Sequence, residues 1–239
     1  MKISLFYIKA IVLTMILFAF LCGLMVEAKA QTYNLAMGTN VSTYLFQNSD
    51  GVQIDFLKKG SGSHFQIGTE FQLLDTTNDY STSSKKAIYF SQRQQLARFL
   101  TRLHADVQVE SNQFNAVGDQ QNIAFSYQTN FVGLSGGFGY QSPSYKNWTL
   151  ALQGRLAAHK LIQGNQALGN QYLDLAKDDQ FSGIQLFAGY AAQVQKKLSQ
   201  NLFAFMDVQR MQTLHAIQSG APTLNFQNTT ISFGIKILK

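Results

Sequence analysis

Residues 183–209 read GIQLFAGYAAQVQKKLSQNLFAFMDVQ, and this stretch decides the fold. Two sets of side chains alternate along its first arm: Ile184, Leu186, Ala188, Tyr190, Ala192 and Val194 against Gln185, Phe187, Gly189, Ala191, Gln193 and Gln195. A period of two is typical of a strand whose faces meet different surroundings. The arm is long for a globular strand but sufficient for a tilted membrane-spanning strand of about 9–11 residues. With the short polar linker 196–200, the stretch predicts one hairpin of a transmembrane β-barrel.

The first thirty residues predict export. A basic start at Lys2 and Lys9 precedes an apolar run over 10–26, and Ala28-Lys29-Ala30 follows it. This order is typical of a secretory signal peptide cleaved after Ala30. The alternative is a retained membrane anchor, since the apolar run approaches spanning length. The prediction is therefore a signal peptide over 1–30 and one β-barrel domain over 31–239.

The composition narrows the class of protein. Removal of three lysines and one glutamate with the signal would lower the formal charge from +6 to +4, and it would remove the single cysteine, Cys22. The mature chain would have no disulfide. No Lys/Arg cluster indicates nucleic-acid binding. Since no second apolar run has helical spanning length, any membrane crossing would need strands in a closed barrel.

Alternation predicts an all-β, antiparallel up-and-down barrel that spans a membrane with eight strands. These are 33–46, 63–74, 98–110, 122–140, 148–158, 183–195, 201–209 and 226–238. If 52–57 and 86–92 were also strands, the barrel would have ten. The apolar parity changes within 122–140, which predicts a β-bulge near Val132 and Gly133.

The predicted connections have the asymmetry of outer-membrane barrels, with short periplasmic turns and long outer loops. Turns 141–147 and 196–200 are short, whereas 47–62, 111–121, 159–182 and 210–225 are long. Segment 75–97 is the exception on the periplasmic side. Aromatic residues near the strand ends predict interfacial girdles: Tyr33, Tyr44, Phe46, Tyr127, Tyr140, Trp148 and Phe226. The alternative is a soluble sandwich that holds these residues in its core.

The export signal, a first strand NLAMGTNVS over 34–42, a second FQIGTEF over 65–71 and a last ISFGIKI over 231–237 resemble the outer membrane β-barrel domain family. The size is similar to that of the OmpA/OmpX-like barrels of Gram-negative bacteria. Such chains commonly end on an aromatic residue, whereas this one ends Leu238-Lys239. The resemblance implies a cell outer membrane location and insertion by the barrel assembly machinery.

The polar faces of the predicted strands carry a set of charged side chains: Glu70, Arg102, His104, Asp106, Glu110, Arg155, Asp207 and Lys236. An eight-stranded barrel has room inside only for side chains. Because unpaired buried charges are costly, we expect these residues to form a network that plugs the lumen. The alternative is a path for protons or a solute.

No catalytic, cofactor or metal site is predicted. Gly133-Leu-Ser-Gly-Gly137 matches the G-x-S-x-G motif, but Phe138-Gly-Tyr140 continues a strand where that motif needs a strand-to-helix turn. The four histidines have no metal-ligand spacing. His159 with Asp174, Asp178 or Asp179 is the clearest polar cluster at the barrel rim.

The sequence favours a non-enzymatic outer-membrane barrel with a structural or binding role carried by its outer loops. Two alternatives stay open. One is an accessory subunit of a secretion or transport complex, docked through periplasmic segment 75–97. The other is an outer-membrane enzyme acting on lipid or peptide, which would need a catalytic group at the rim. The ligand of the loops and the oligomeric state do not follow from the sequence.

Overall fold

The described part of the chain is almost entirely β-strand. The computed structural model describes residues 32–47, 53–54, 57–72, 102–120, 123–168, 171–177, 183–214 and 223–239. Its strands are β1 (Thr32–Gln47), β2 (Gln53–Ile54), β3 (Leu57–Gln72), β4 (Leu103–Gln120), β5 (Ile123–Gln141), β6 (Trp148–Leu168), β7 (Gln171–Asp174), β8 (Ile184–Lys197), β9 (Leu202–Thr213) and β10 (Thr223–Leu238). A 3₁₀ turn covers Leu175–Lys177. The predicted signal peptide, segment 75–97 and the optional strand 86–92 lie outside the described residues.

The eight long strands close into an antiparallel barrel, because β1 pairs with both β3 and β10. The short strands β2 and β7 only extend hairpins at one end. The prediction of an eight-stranded barrel is therefore confirmed over the ten-stranded alternative and the open sandwich. No helix among the described residues has the length and apolar character to cross a membrane.

The register fixes the tilt of the strands. Cross-strand neighbours can be followed around the barrel from Leu103 through Tyr140, Leu152, Ala192, Val208, Ile231, Thr39 and Ser63, and the Ser63 hydroxyl donates to Gln113. The path returns to β4 ten residues above its start at Leu103. A stagger of this size in an eight-stranded barrel goes with strands tilted by about 35–45°.

Ten residues of such a tilted strand also correspond to the height of a band on the outer surface. At about 3.3 Å per residue and that tilt, they rise about 25 Å, which is the height of the apolar band of membrane barrels. We call the end with both described termini the lower end and the other the upper end. Exposed apolar side chains cover the band on every long strand: Leu35, Met37, Phe65, Ile67, Val107, Val109, Leu134, Phe138, Leu150, Leu152, Leu156, Leu186, Tyr190, Met206, Val208, Phe233 and Ile235.

The alternation predicted from the sequence is confirmed inside this band. Leu150, Leu152, Leu186 and Ile235 face outward. Gln153, Arg155 and Lys236 are buried inside the barrel, and Gln185 is half-buried near the upper end. Period two thus separates a lipid-type face from a lumenal face at each of these positions.

Above the band the polarity of the two faces is reversed, and the predicted loops were too long for this reason. Residues 111–120, 159–168 and 57–62 continue β4, β6 and β3, and only residues 121–122 separate β4 from β5. There Phe114 and Ala116 point inward and are apolar, while Gln113 and Asn115 point outward and are polar. The sequence analysis recognised strands by their outward apolar residues. Strand segments with polar outward residues were therefore assigned to loops.

The predicted bulge near Val132 and Gly133 is wrong in its position. The pairing of β5 with β4 runs without a break from Tyr140 to Ile123. The irregularity lies on β6, where Phe131 pairs with Leu161 and Asn130 with Gln163, so that Ile162 is the extra residue. The apolar parity of β5 changes because its inward face becomes apolar above the band, and the chain keeps its register.

The aromatic girdle is present only in part. Tyr33 and Trp148 are exposed at the lower end, where Lys196 lies 5.1 Å from the centre of the Trp148 ring, and Tyr140 is half-exposed at the same end. Tyr44, Tyr127 and Phe226 point into the barrel, so the prediction was wrong for these three. The side chain of Phe46 lies outside the described residues. In the sequence, rings buried inside the upper barrel and rings of an interfacial girdle both fall near strand ends. Their positions alone therefore do not distinguish them.

Candidate functional site

The interior of the barrel has two layers of opposite chemistry, one polar and one apolar. Within the band it holds buried polar and charged side chains, which we call the polar network. Above the band it holds the aromatic layer, defined as Tyr44, Phe114, Phe131, Leu161, Leu175, Phe187, Met211 and Phe226. These two layers together decide whether anything could pass through the barrel.

The lowest part of the polar network is an ion pair between Lys236 of β10 and Glu70 of β3. It borders a cavity of about 130 Å³ at the lower mouth, which Arg102, His104 and Phe203 also line. Arg102 precedes β4 and donates to the Tyr140 hydroxyl at 3.3 Å. The lower end of the lumen therefore begins with a small charged vestibule.

The middle of the network is organised by Arg155 of β6. Its guanidinium donates to Asp106 Oδ1 at 2.8 Å and to Gln209 Oε1 at 3.1 Å, and both charged side chains are almost fully buried. A cross-lumen pair of this kind joins β4, β6 and β9. Asp207 is equally buried, and its two carboxylate oxygens have no hydrogen-bond partner among the described residues.

The upper part of the network is centred on Glu110 of β4. Its carboxylate accepts from the Asn112 amide at 3.1 Å, and His159 Nε2 lies 3.4 Å away. Asn112 Oδ1 in turn accepts from His64 Nδ1 at 2.7 Å. A chain of polar contacts therefore crosses the barrel directly beneath the aromatic layer.

Two glycines of the G-x-S-x-G match make room for this network. A Cβ on Gly137 would lie 2.9 Å from Asp106 Oδ2, and one on Gly133 would lie 2.2 Å from the His159 ring. Both glycines and the buried Ser135 sit inside β5, with no turn into a helix. The motif is explained by close packing across the lumen and not by the geometry of a nucleophile elbow.

Seven of the eight predicted network residues lie inside the barrel, and the eighth, Arg102, lies at its lower mouth. The sequence analysis missed His64 and His159 as members. It placed His159 at the rim with Asp174, but His159 is buried in the lumen, while Asp174 is exposed on β7 and pairs with Lys177 at 3.6 Å. The signal was available, since His159 has the parity of Gln153 and Arg155 once β6 is extended.

The aromatic layer lies inside the barrel above the network. Ring centres lie 5.3 Å apart for Phe114 and Phe131, and 5.5 Å apart for Phe131 and Phe226. Leu175, from the 3₁₀ turn after β7, is buried against the same cluster. Such spacing is that of packed aromatic rings, so the layer is a packed apolar cluster at the upper boundary of the band.

Tyr44 ties this layer together by hydrogen bonds. Its hydroxyl lies 2.7 Å from Thr129 Oγ1 and donates to the Phe114 carbonyl at 3.1 Å. Burial raises the pKa of Tyr44 above its ordinary value, and the bond to Thr129 opposes this rise. The Tyr44 hydroxyl is therefore neutral at its buried position in the upper barrel.

Among the described residues, no group of three or more histidine, cysteine or acidic side chains could hold a metal ion. His104, His64 and His159 have amide or carboxylate neighbours. Among the described residues, buried polar and charged side chains fill the lower part of the barrel interior and packed rings fill the upper part.

Comparison with known proteins finds likeness at the level of the fold. No protein-family model and no curated protein matches the chain. The chain is similar to Neisserial surface protein A, with 13% identity, a TM-score of 0.41 and coverage of 87% of this chain and 97% of that one. For a major outer membrane protein from Thermus thermophilus the values are 12%, 0.46, 87% and 99%. For the outer membrane protease OmpT from Escherichia coli they are 9%, 0.41, 89% and 98%.

Proposed function

We propose that this chain is a small outer-membrane β-barrel with a plugged lumen, and that its structural or binding role is carried by the upper end. The observation that carries this proposal is the closed outer band of exposed apolar side chains, about 25 Å high. In water such a surface would be an aggregation liability, since soluble monomers rarely expose large contiguous apolar patches. In a bilayer the same band lies against lipid, and closure leaves no unpaired strand edge.

Both the polar network and the aromatic layer support the proposed plug. Arg155 with Asp106, and Lys236 with Glu70, lie in the lower lumen as buried ion pairs. The rings of Phe114 and Phe131 fill the upper lumen. An ion would have to break a buried pair and then displace packed rings, so we expect no conducting path.

The proposed location is the cell outer membrane, reached through the signal peptide predicted over 1–30. Outer-membrane lipid and the barrel insertion machinery are then the expected partners. Segment 75–97 would face the periplasm, because both described termini and the turn at 142–147 share that end. A protein partner at this segment is retained as a proposal, whereas a catalytic role is not proposed.

Cell fractionation and bilayer recording test the proposal together. The mature chain, beginning at Gln31, should be recovered with the outer membrane and should need detergent for extraction. Recovery in the soluble periplasm would overturn the membrane location. In planar bilayers the purified protein should show no stable, porin-sized conductance. Such steps in the wild-type protein would overturn the plug while leaving the location intact.

A further inference from the structure

Uncharged amides and hydroxyls predominate on the outer face of β3 to β6 directly above the apolar band, where Val117 and Ile162 are also exposed. Two rows run across the strands in register, with Gln113, Asn130 and Gln163 in one and Asn115, Gln128 and Asn165 in the other. Ser63 and Ser61 continue these rows onto β3. We call these eight residues the amide array. Charged side chains among the described residues lie only at its margins: Lys58, Lys59, Lys160, and Asp174 with its partner Lys177.

The array has unused hydrogen-bonding capacity. The Asn130 amide donates to Gln163 at 3.3 Å, and the Asn115 amide donates to the Ser61 carbonyl at 2.6 Å. Gln128 and Asn165 are exposed, and their side chains hydrogen-bond to no described residue. Neighbouring strands lie about 4.8 Å apart, so the amides form a grid of alternating donors and acceptors.

The position of the array decides what must lie against it. The strands run without interruption from the band into the array: Val109 precedes Gln113 on β4, and Leu134 follows Asn130 on β5. A lipid whose chains lie against Val109 and Leu134 therefore places its headgroup on the array. This argument rests on the membrane location proposed above.

The chemistry of the array selects the kind of headgroup. Phosphate headgroups are recognised by Lys and Arg, and the array itself carries neither. The NH₂ and C=O of one amide match the donor and acceptor offered by neighbouring sugar hydroxyls. Lys160, at the junction between band and array, is exposed and could meet a phosphate below the sugar. We propose that the amide array binds the saccharide headgroups of glycolipid in the surrounding outer leaflet.

The test measures which lipid the barrel retains. The refolded full-length mature chain is placed in vesicles of phosphatidylcholine mixed with digalactosyldiacylglycerol, and native mass spectrometry counts the lipids that stay bound. The wild-type barrel should retain the galactolipid over phosphatidylcholine. The variant with Gln113, Gln128, Asn130 and Gln163 replaced by alanine should lose that preference by about tenfold, since it removes several hydrogen bonds.

A matched control carries the same chemistry elsewhere at the upper end. Gln212→Ala with Gln227→Ala removes two amides of β9 and β10, and its lipid preference should equal that of the wild-type protein. Equal retention by the wild-type and the quadruple variant would overturn the proposal. Binding of free digalactose as tightly as the galactolipid would also overturn it, by indicating a soluble glycan as the ligand. Failure of the wild-type chain to insert into either vesicle would instead refute the proposed membrane location.

Discussion

Replacement of Arg155 by methionine tests whether the lumenal charges are paired as the structure has them. The guanidinium is almost fully buried and donates to Asp106 and Gln209. Without it, Asp106 would be a buried carboxylate with no cation. Breaking a buried pair by removing one partner costs about 3–5 kcal/mol. We expect Arg155→Met to lower the free energy of unfolding by that amount.

The assay is reversible folding into phospholipid vesicles over a range of urea concentrations. Trp148 is the only tryptophan of the chain and is exposed on the outer face at the lower end, so its emission reports insertion. Arg210→Met is the matched control, because Arg210 is exposed on the outer face of β9. A surface change of that kind is expected to stay within about 0.5 kcal/mol.

A double-mutant cycle isolates the pair itself. Asp106→Asn should also destabilise the barrel, since it leaves Arg155 without its carboxylate. The double variant Asp106→Asn with Arg155→Met removes both charges of this pair, and we expect it to be about 2–3 kcal/mol more stable than the sum of the single losses implies. Additive losses, or a loss for Arg155→Met equal to that for Arg210→Met, would refute the pairing.

Three further predictions concern the outer face of the band, the close packing at Gly137 and the aromatic layer. Leu152→Arg places a charge on the outer face at mid-band and should cost about 2–4 kcal/mol in the same vesicle assay; a cysteine at 152 should react with lipid-soluble maleimides and one at 153 should not, and equal reactivity would contradict the two faces. Gly137→Ala brings a Cβ to 2.9 Å from Asp106 and should destabilise the barrel by about 1–3 kcal/mol, whereas Gly154→Ala, which meets nothing within 4 Å, should not; equal effects would count against the close approach. Because the pKa of Tyr44 is raised, stability that is present below the ordinary tyrosine pKa of about 10 should fall as pH rises above it; Tyr44→Phe should show a shallower fall in unfolding titrations between pH 9 and about 11, and identical profiles would argue against a buried phenol.

The predicted strands were recovered because alternation is a local property. Each strand in the band has an exposed apolar face outside and a crowded polar face inside, so residues such as Leu152 and Gln153 carry the pattern themselves. The charged lumenal residues follow from the same parity. Which of them pair did not follow, because Asp106 and Arg155 meet through the stagger of strands that are far apart in sequence.

The sequence by itself determined that the chain makes two-faced strands and which side chains share a face, while it left eight or ten strands open. Only the tertiary structure decided what each face touches at each height. The apolar band covers only about 25 Å of the barrel, so the same alternation that puts Leu134 outside puts Phe131 inside once the strand has left the band. Phe114, Phe226 and the amide array show this reversal, which depends on tilt and register and not on any local pattern.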